Sequence, residues 1–148
     1  MKRQIRRGVF ETNSSSIHSL VISKEGRMKS RLKLNEEGKI VVNFGHFGKD
    51  YNIYKNQKDK LSYLITCLYY LCGYDVESIY DSFEFECIQR AVCKYTGATG
   101  IIIGTKIKPD IDHESIPYTN IEIINAYDED EVIDFVFNKY VALKTDCD

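Results

Sequence analysis

The polar string Glu11-Thr12-Asn13-Ser14-Ser15-Ser16-Ile17-His18-Ser19 gathers the side chains best suited to chemistry. Asn13, Ser14, Ser15, Ser16 and Ser19 bring amide, hydroxyl and backbone N–H donors into a short span, and such turns form concave nests for anions. Arg6 and Arg7 precede the string. A guanidinium pairs phosphate oxygens in a two-pronged fork. His18 sits among the serines, and an imidazole exchanges a proton near neutral pH. The string predicts a phosphate cradle. The alternative is a tight Ser/Asn turn whose side chains satisfy their own backbone.

Two further histidines lie in unusual contexts. His46 falls in Phe44-Gly45-His46-Phe47-Gly48, where glycine permits a sharp bend or a close approach of backbone to ligand. The plainer reading is a loop histidine. His113 falls in Asp110-Ile111-Asp112-His113-Glu114-Ser115. Asp112 or Glu114 can orient its ring and raise its pKa, with Ser115 beside them for a ligand. The plainer reading is a solvated loop whose carboxylates offset Lys106 and Lys108. If the flanking strands share a sheet, His18 and His113 meet as a catalytic acid/base pair beside a bound anion. The three histidines stand 28 and 67 residues apart, without H-x-H or H-E-x-x-H spacing, so no metal site and no cofactor are expected. The G-x-x-x-x-G-K-[ST], G-x-G-x-x-G and G-x-S-x-G frameworks are absent.

These residues need elements to hold them. Residues 4–10 and 17–23 read as strands on either side of the polar turn. Residues 31–35 and 39–44 alternate apolar with polar around Glu36-Glu37-Gly38, a hairpin pattern. Leu61, Leu64, Ile65, Leu68 and Leu71 follow one helix face and predict a helix over 58–72, stopped by Gly73. Residues 75–95 repeat that pattern, with Asp75 as cap and Gly97 past the end. Residues 100–107 and 120–125 read as strands. Residues 128–140 form an amphipathic helix opened by the capping pair Asp128 and Glu131. The expected fold is α+β: a small, largely antiparallel sheet packed against two or three helices, in a single domain over 1–148.

Composition sets the outer limits. The chain has 148 residues, 43% hydrophobic and 28% charged, with 9 Gly and 2 Pro, which excludes disordered and collagen-like classes. No apolar run reaches the roughly 18 residues of a membrane span. No hydrophobic signal region follows the basic start, so a cytoplasmic protein without a membrane partner is expected. The 5 cysteines lack a C-x-x-C pair and read as reduced, mostly buried thiols. The net charge of −2 hides an asymmetry: residues 1–60 hold 14 basic and 6 acidic side chains, and residues 61–148 hold 6 and 16. The basic part suits phosphates, although the two parts also neutralise each other within one fold.

Residues 6–19, Arg-Arg-Gly-Val-Phe-Glu-Thr-Asn-Ser-Ser-Ser-Ile-His-Ser, resemble the start of a family of small bacteriophage and prophage proteins. Ile111-Asp112-His113-Glu114-Ser115 resembles a later I-D-H-x-S element in some of them. The resemblance implies a phage origin and a place in the host cytoplasm; it implies no particular activity. The leading expectation is a phage accessory protein that counters host defence or metabolism. It would bind a phosphorylated ligand (a nucleotide, a signalling oligonucleotide or a nucleic-acid end) at the Ser/His turn. One alternative is a non-catalytic, anti-CRISPR-like inhibitor that docks on a host defence protein through its acidic surface. Another is a His-dependent enzyme acting on a nucleotide bond.

Overall fold

The computed structural model describes residues 9–11, 24–48, 52–111 and 125–145. The chain runs β1 (Val9–Glu11), a 3-10 turn at Lys24–Gly26, β2 (Lys39–Asn43), β3 (His46–Phe47), β4 (Asn52–Tyr54), α1 (Gln57–Leu71), α2 (Val76–Asp81), α3 (Phe83–Thr96), β5 (Gly100–Gly104), β6 (Asp110–Ile111), α4 (Glu129–Phe137) and β7 (Ala142–Thr145). This is a small α+β fold. The strand expected over 17–23 lies outside the described residues, as does all of 120–125 except Asn125.

The helices form where apolar spacing and caps coincide. Asn56 opens α1, its Oδ1 accepting from the Asp59 N–H at 2.7 Å. Leu61, Leu64, Ile65 and Leu68 are buried along α1. The expected helix over 75–95 is two helices, because Ser82 caps in both directions. Its hydroxyl donates to the Ile79 carbonyl at 2.6 Å, closing α2, and accepts from the Phe85 N–H at 3.1 Å, opening α3. Such side-chain bonds offer the backbone an alternative to continuing the helix. Gly97 ends α3 in the left-handed region at φ 82°, as expected. Asp128 opens α4 by accepting from the N–H groups of Asp130 and Glu131.

The strands depart from the expected antiparallel direction. Three of the four described pairings are parallel: β1 with β7, β2 with β5, and β3 with β6. Only β4 with β7 is antiparallel. Between β2 and β5 the chain passes through α1, α2 and α3, and a long helical crossover returns a strand in the same direction. The inward residues Ile40, Val42, Ile101 and Ile103 are buried, with α1 packing against β2 and α3 against β5. The hairpin over 31–44 keeps its turn, where Asn35 Oδ1 accepts from the N–H groups of Glu37 and Lys39. Its first arm is reduced to one bridge, Leu34 to Ile40. Gln57 holds that arm against the start of α1: its Oε1 accepts from the Arg31 N–H at 2.6 Å and its Nε2 donates to the Lys29 carbonyl at 2.9 Å.

Candidate functional site

A strap over residues 26–32 crosses the end of α4 and the start of α1, and a cleft opens beside it. The strap is fixed by main-chain bonds from Met28 N–H to the Phe137 carbonyl and from Lys139 N–H to the Gly26 carbonyl, each 2.8 Å. Tyr95 Oη donates to the Met28 carbonyl at 2.7 Å. Arg27 grips α4 with a fork: Nε and Nη2 reach the two carboxylate oxygens of Asp134 at 2.9 and 2.8 Å. Asp134 is fully buried and also accepts from Asn138 Nδ2 at 3.1 Å. The guanidinium pKa is raised, first by its bond to Asp134. At Gly26 only glycine fits, because a Cβ there would run into the Asn138 side chain and the Tyr140 ring.

The cleft has a volume of about 270 Å³. Met28, Leu32, Val136 and Phe137 supply its apolar walls. Arg31, Lys55, Lys58, Lys60 and Lys139 supply five cations, and among the described residues no carboxylate lines it. Arg31, Lys55, Lys58 and Lys139 are exposed and form no ion pair with any described residue. Lys60 differs from them. It is 1% exposed, and its Nζ donates to the main-chain carbonyls of Val141 at 2.8 Å and Asn138 at 3.1 Å. Burial lowers its pKa to about 8. A cluster of like charges around a buried amine, without an ion pair among the described residues, raises the local positive potential, and low-dielectric walls focus it. The arrangement attracts and holds an anion.

Comparison with family models, curated proteins and solved structures found no match, so the site is read from its own geometry. His46 alone among the sequence-predicted site residues is described. It is exposed at the start of β3, with its ring Nε2 2.9 Å from the Lys108 carbonyl. It lines a second cavity of about 220 Å³ and not the basic cleft. Arg6, Arg7, Asn13, Ser14, Ser15, Ser16, His18, Ser19, Asp112, His113, Glu114 and Ser115 lie outside the described residues, and with them the pairing of His18 and His113. Of the cysteines, Cys67 and Cys87 are buried free thiols, and Cys72 and Cys93 are half-buried.

The cleft cations were within reach of sequence reasoning, which passed over them. Lys55, Lys58 and Lys60 form a dense basic run inside the positive part of the chain. Lys60 also stands four residues before Leu64 and eight before Leu68, in phase with the buried face of α1. A lysine on an apolar stripe is the signal for a buried amine, because lysine is almost never buried without partners.

Proposed function

We propose that the protein binds a phosphorylated ligand in the cleft between the 26–32 strap, α1 and α4. The observation that carries this is the charge of the lining: among the described residues, five cations without a carboxylate, one of them the buried Lys60. The segment over 6–19 resembles phage and prophage proteins, which supports a role as an accessory protein in the cytoplasm of an infected host. There it withdraws such a ligand from host defence or metabolism. Among the described residues no helix is long and apolar enough to cross a membrane. Arg6, Arg7 and the polar string over 11–19 belong to the same basic part of the sequence.

Inorganic pyrophosphate is the probe for this reading. A ligand that binds only the folded chain stabilises it by about 2.7 kcal/mol at a hundred times its dissociation constant. Unfolding by urea with and without pyrophosphate should show that gain, and it should shrink as salt screens the exposed charges. The triple variant Arg31→Glu/Lys55→Glu/Lys58→Glu should lose it, whereas Lys94→Glu, on α3 and paired with Glu129, should keep it. No stabilisation of the wild type, or full stabilisation of the triple variant, refutes the proposal.

A further inference from the structure

The basic cleft and the second cavity share Leu32 and Lys58 as lining residues. Their volumes are about 270 and 220 Å³. Each alone is smaller than the roughly 300–1,000 Å³ of a typical small-molecule site, and the two joined fall inside that range. Their linings differ in kind. The second cavity carries the buried rings of Phe44 and Phe47, the half-buried Tyr54 and the exposed Ile107. Among the described residues its one cation is the shared Lys58, and it includes a carboxylate, Asp59. A second anionic group is not favoured there; an uncharged flat ring with hydrogen-bond donors is.

His46 gives that ring an acceptor. Its Nε2 lies 2.9 Å from a carbonyl, which only accepts, so Nε2 carries the proton of the neutral ring. Nδ1 is left as an acceptor with no described partner. We infer that the second cavity is a base subsite, and that the ligand is a nucleotide whose phosphates lie on the cations of the basic cleft and whose nucleobase lies against Phe44 and Phe47 with an N–H toward His46. This rests on the anion reading of the basic cleft and sharpens it from phosphorylated ligand to nucleotide. Lys58, at the junction, marks where phosphate gives way to nucleoside.

The test compares pyrophosphate with ADP, which adds a nucleoside to the same diphosphate, by titration calorimetry. ADP should bind at least tenfold more tightly. His46→Ala should bring ADP close to the affinity of pyrophosphate and leave pyrophosphate unchanged. Ile107→Glu, on the exposed rim, should do the same without touching the histidine. Equal affinity of wild type for the two ligands overturns the base subsite while the anion reading stands. A His46→Ala variant that weakens both ligands equally overturns the division into subsites. If neither ligand binds the wild type, the anion reading falls and this inference falls with it.

Discussion

Lys60 ties the stability of the fold to alkaline pH, with a sign fixed by its burial. Its pKa drops from the ordinary 10.5 to about 8. Below pH 8 the amine is charged in folded and unfolded chains alike, and the whole cost of hiding that charge is present. Between pH 8 and 10.5 the unfolded chain binds more protons than the folded one, so stability rises with pH. At about 1.36 kcal/mol per pKa unit the full gain is on the order of 3 kcal/mol, of which about 1 kcal/mol accrues between pH 7 and pH 9. The assay is urea unfolding, followed by circular dichroism, of wild type and Lys60→Met at pH 7, 8 and 9. The variant takes the amine donor from the Val141 carbonyl, at a cost of about 1–3 kcal/mol for a buried acceptor left unsatisfied, whereas the Asn138 carbonyl keeps its 3.1 Å bond from the Val141 N–H. That cost does not vary with pH, so the wild-type advantage should grow by about 1 kcal/mol from pH 7 to pH 9. Taking the difference removes the opposing contribution of Cys67. Burial pushes that thiol up to about 12, which erodes stability above the ordinary thiol pKa in both proteins. Saturating pyrophosphate should flatten the trend, because an anion beside the amine favours its charged form. A wild-type advantage that stays level or falls toward pH 9 would refute the reasoning.

Two simpler perturbations probe the frame of the cleft. Arg27→Ala leaves the buried Asp134 carboxylate without its guanidinium and should cost about 3–5 kcal/mol in urea unfolding. Adding Asp134→Asn should recover part of that loss, and a cost for Arg27→Ala below about 1 kcal/mol would show that the fork is incidental. Leu68→Ala removes a side chain that is 0% exposed on α1 and should cost about 2–5 kcal/mol by the same assay, with loss of pyrophosphate binding only where the chain unfolds.

Local signals in the sequence were legible, and pairings between distant segments were not. The apolar stripe of α1 from Leu61 to Leu68, the cap at Asp128 and the stop at Gly97 are written in neighbouring residues, and each appears where its spacing places it, whereas Leu71, expected on the same face, is exposed at the helix end. Ser82 was legible in principle: a serine followed by Glu84 and Glu86 opens a helix, but the apolar period runs through it and hides the break. The parallel direction of β2 and β5 depends on which segments meet across the crossover, and no residue within either strand encodes that. The basic cleft is harder still. Its cations come from the strap, the start of α1 and the end of α4, and they converge because Gln57, Arg27, Tyr95 and main-chain bonds to Phe137 and Lys139 hold the strap down. A histidine among serines draws attention as chemistry; a lysine on a hydrophobic stripe reads as an irregularity until its burial is known.

The place of β7 has a consequence for how the protein is made. It is the middle strand between β1 and β4. A ribosome releases both outer strands, and all of α1 to α4, before β7 emerges. Until then β1 and β4 lack the strand that pairs them among the described residues, and open strand edges pair readily with other chains. Completion of the sheet therefore waits until β7 has emerged, and the interval before it is a time of exposure to aggregation. A high rate of expression lengthens no single interval but crowds many such chains together, so yield should respond to synthesis rate and temperature more than to the equilibrium stability of the finished fold.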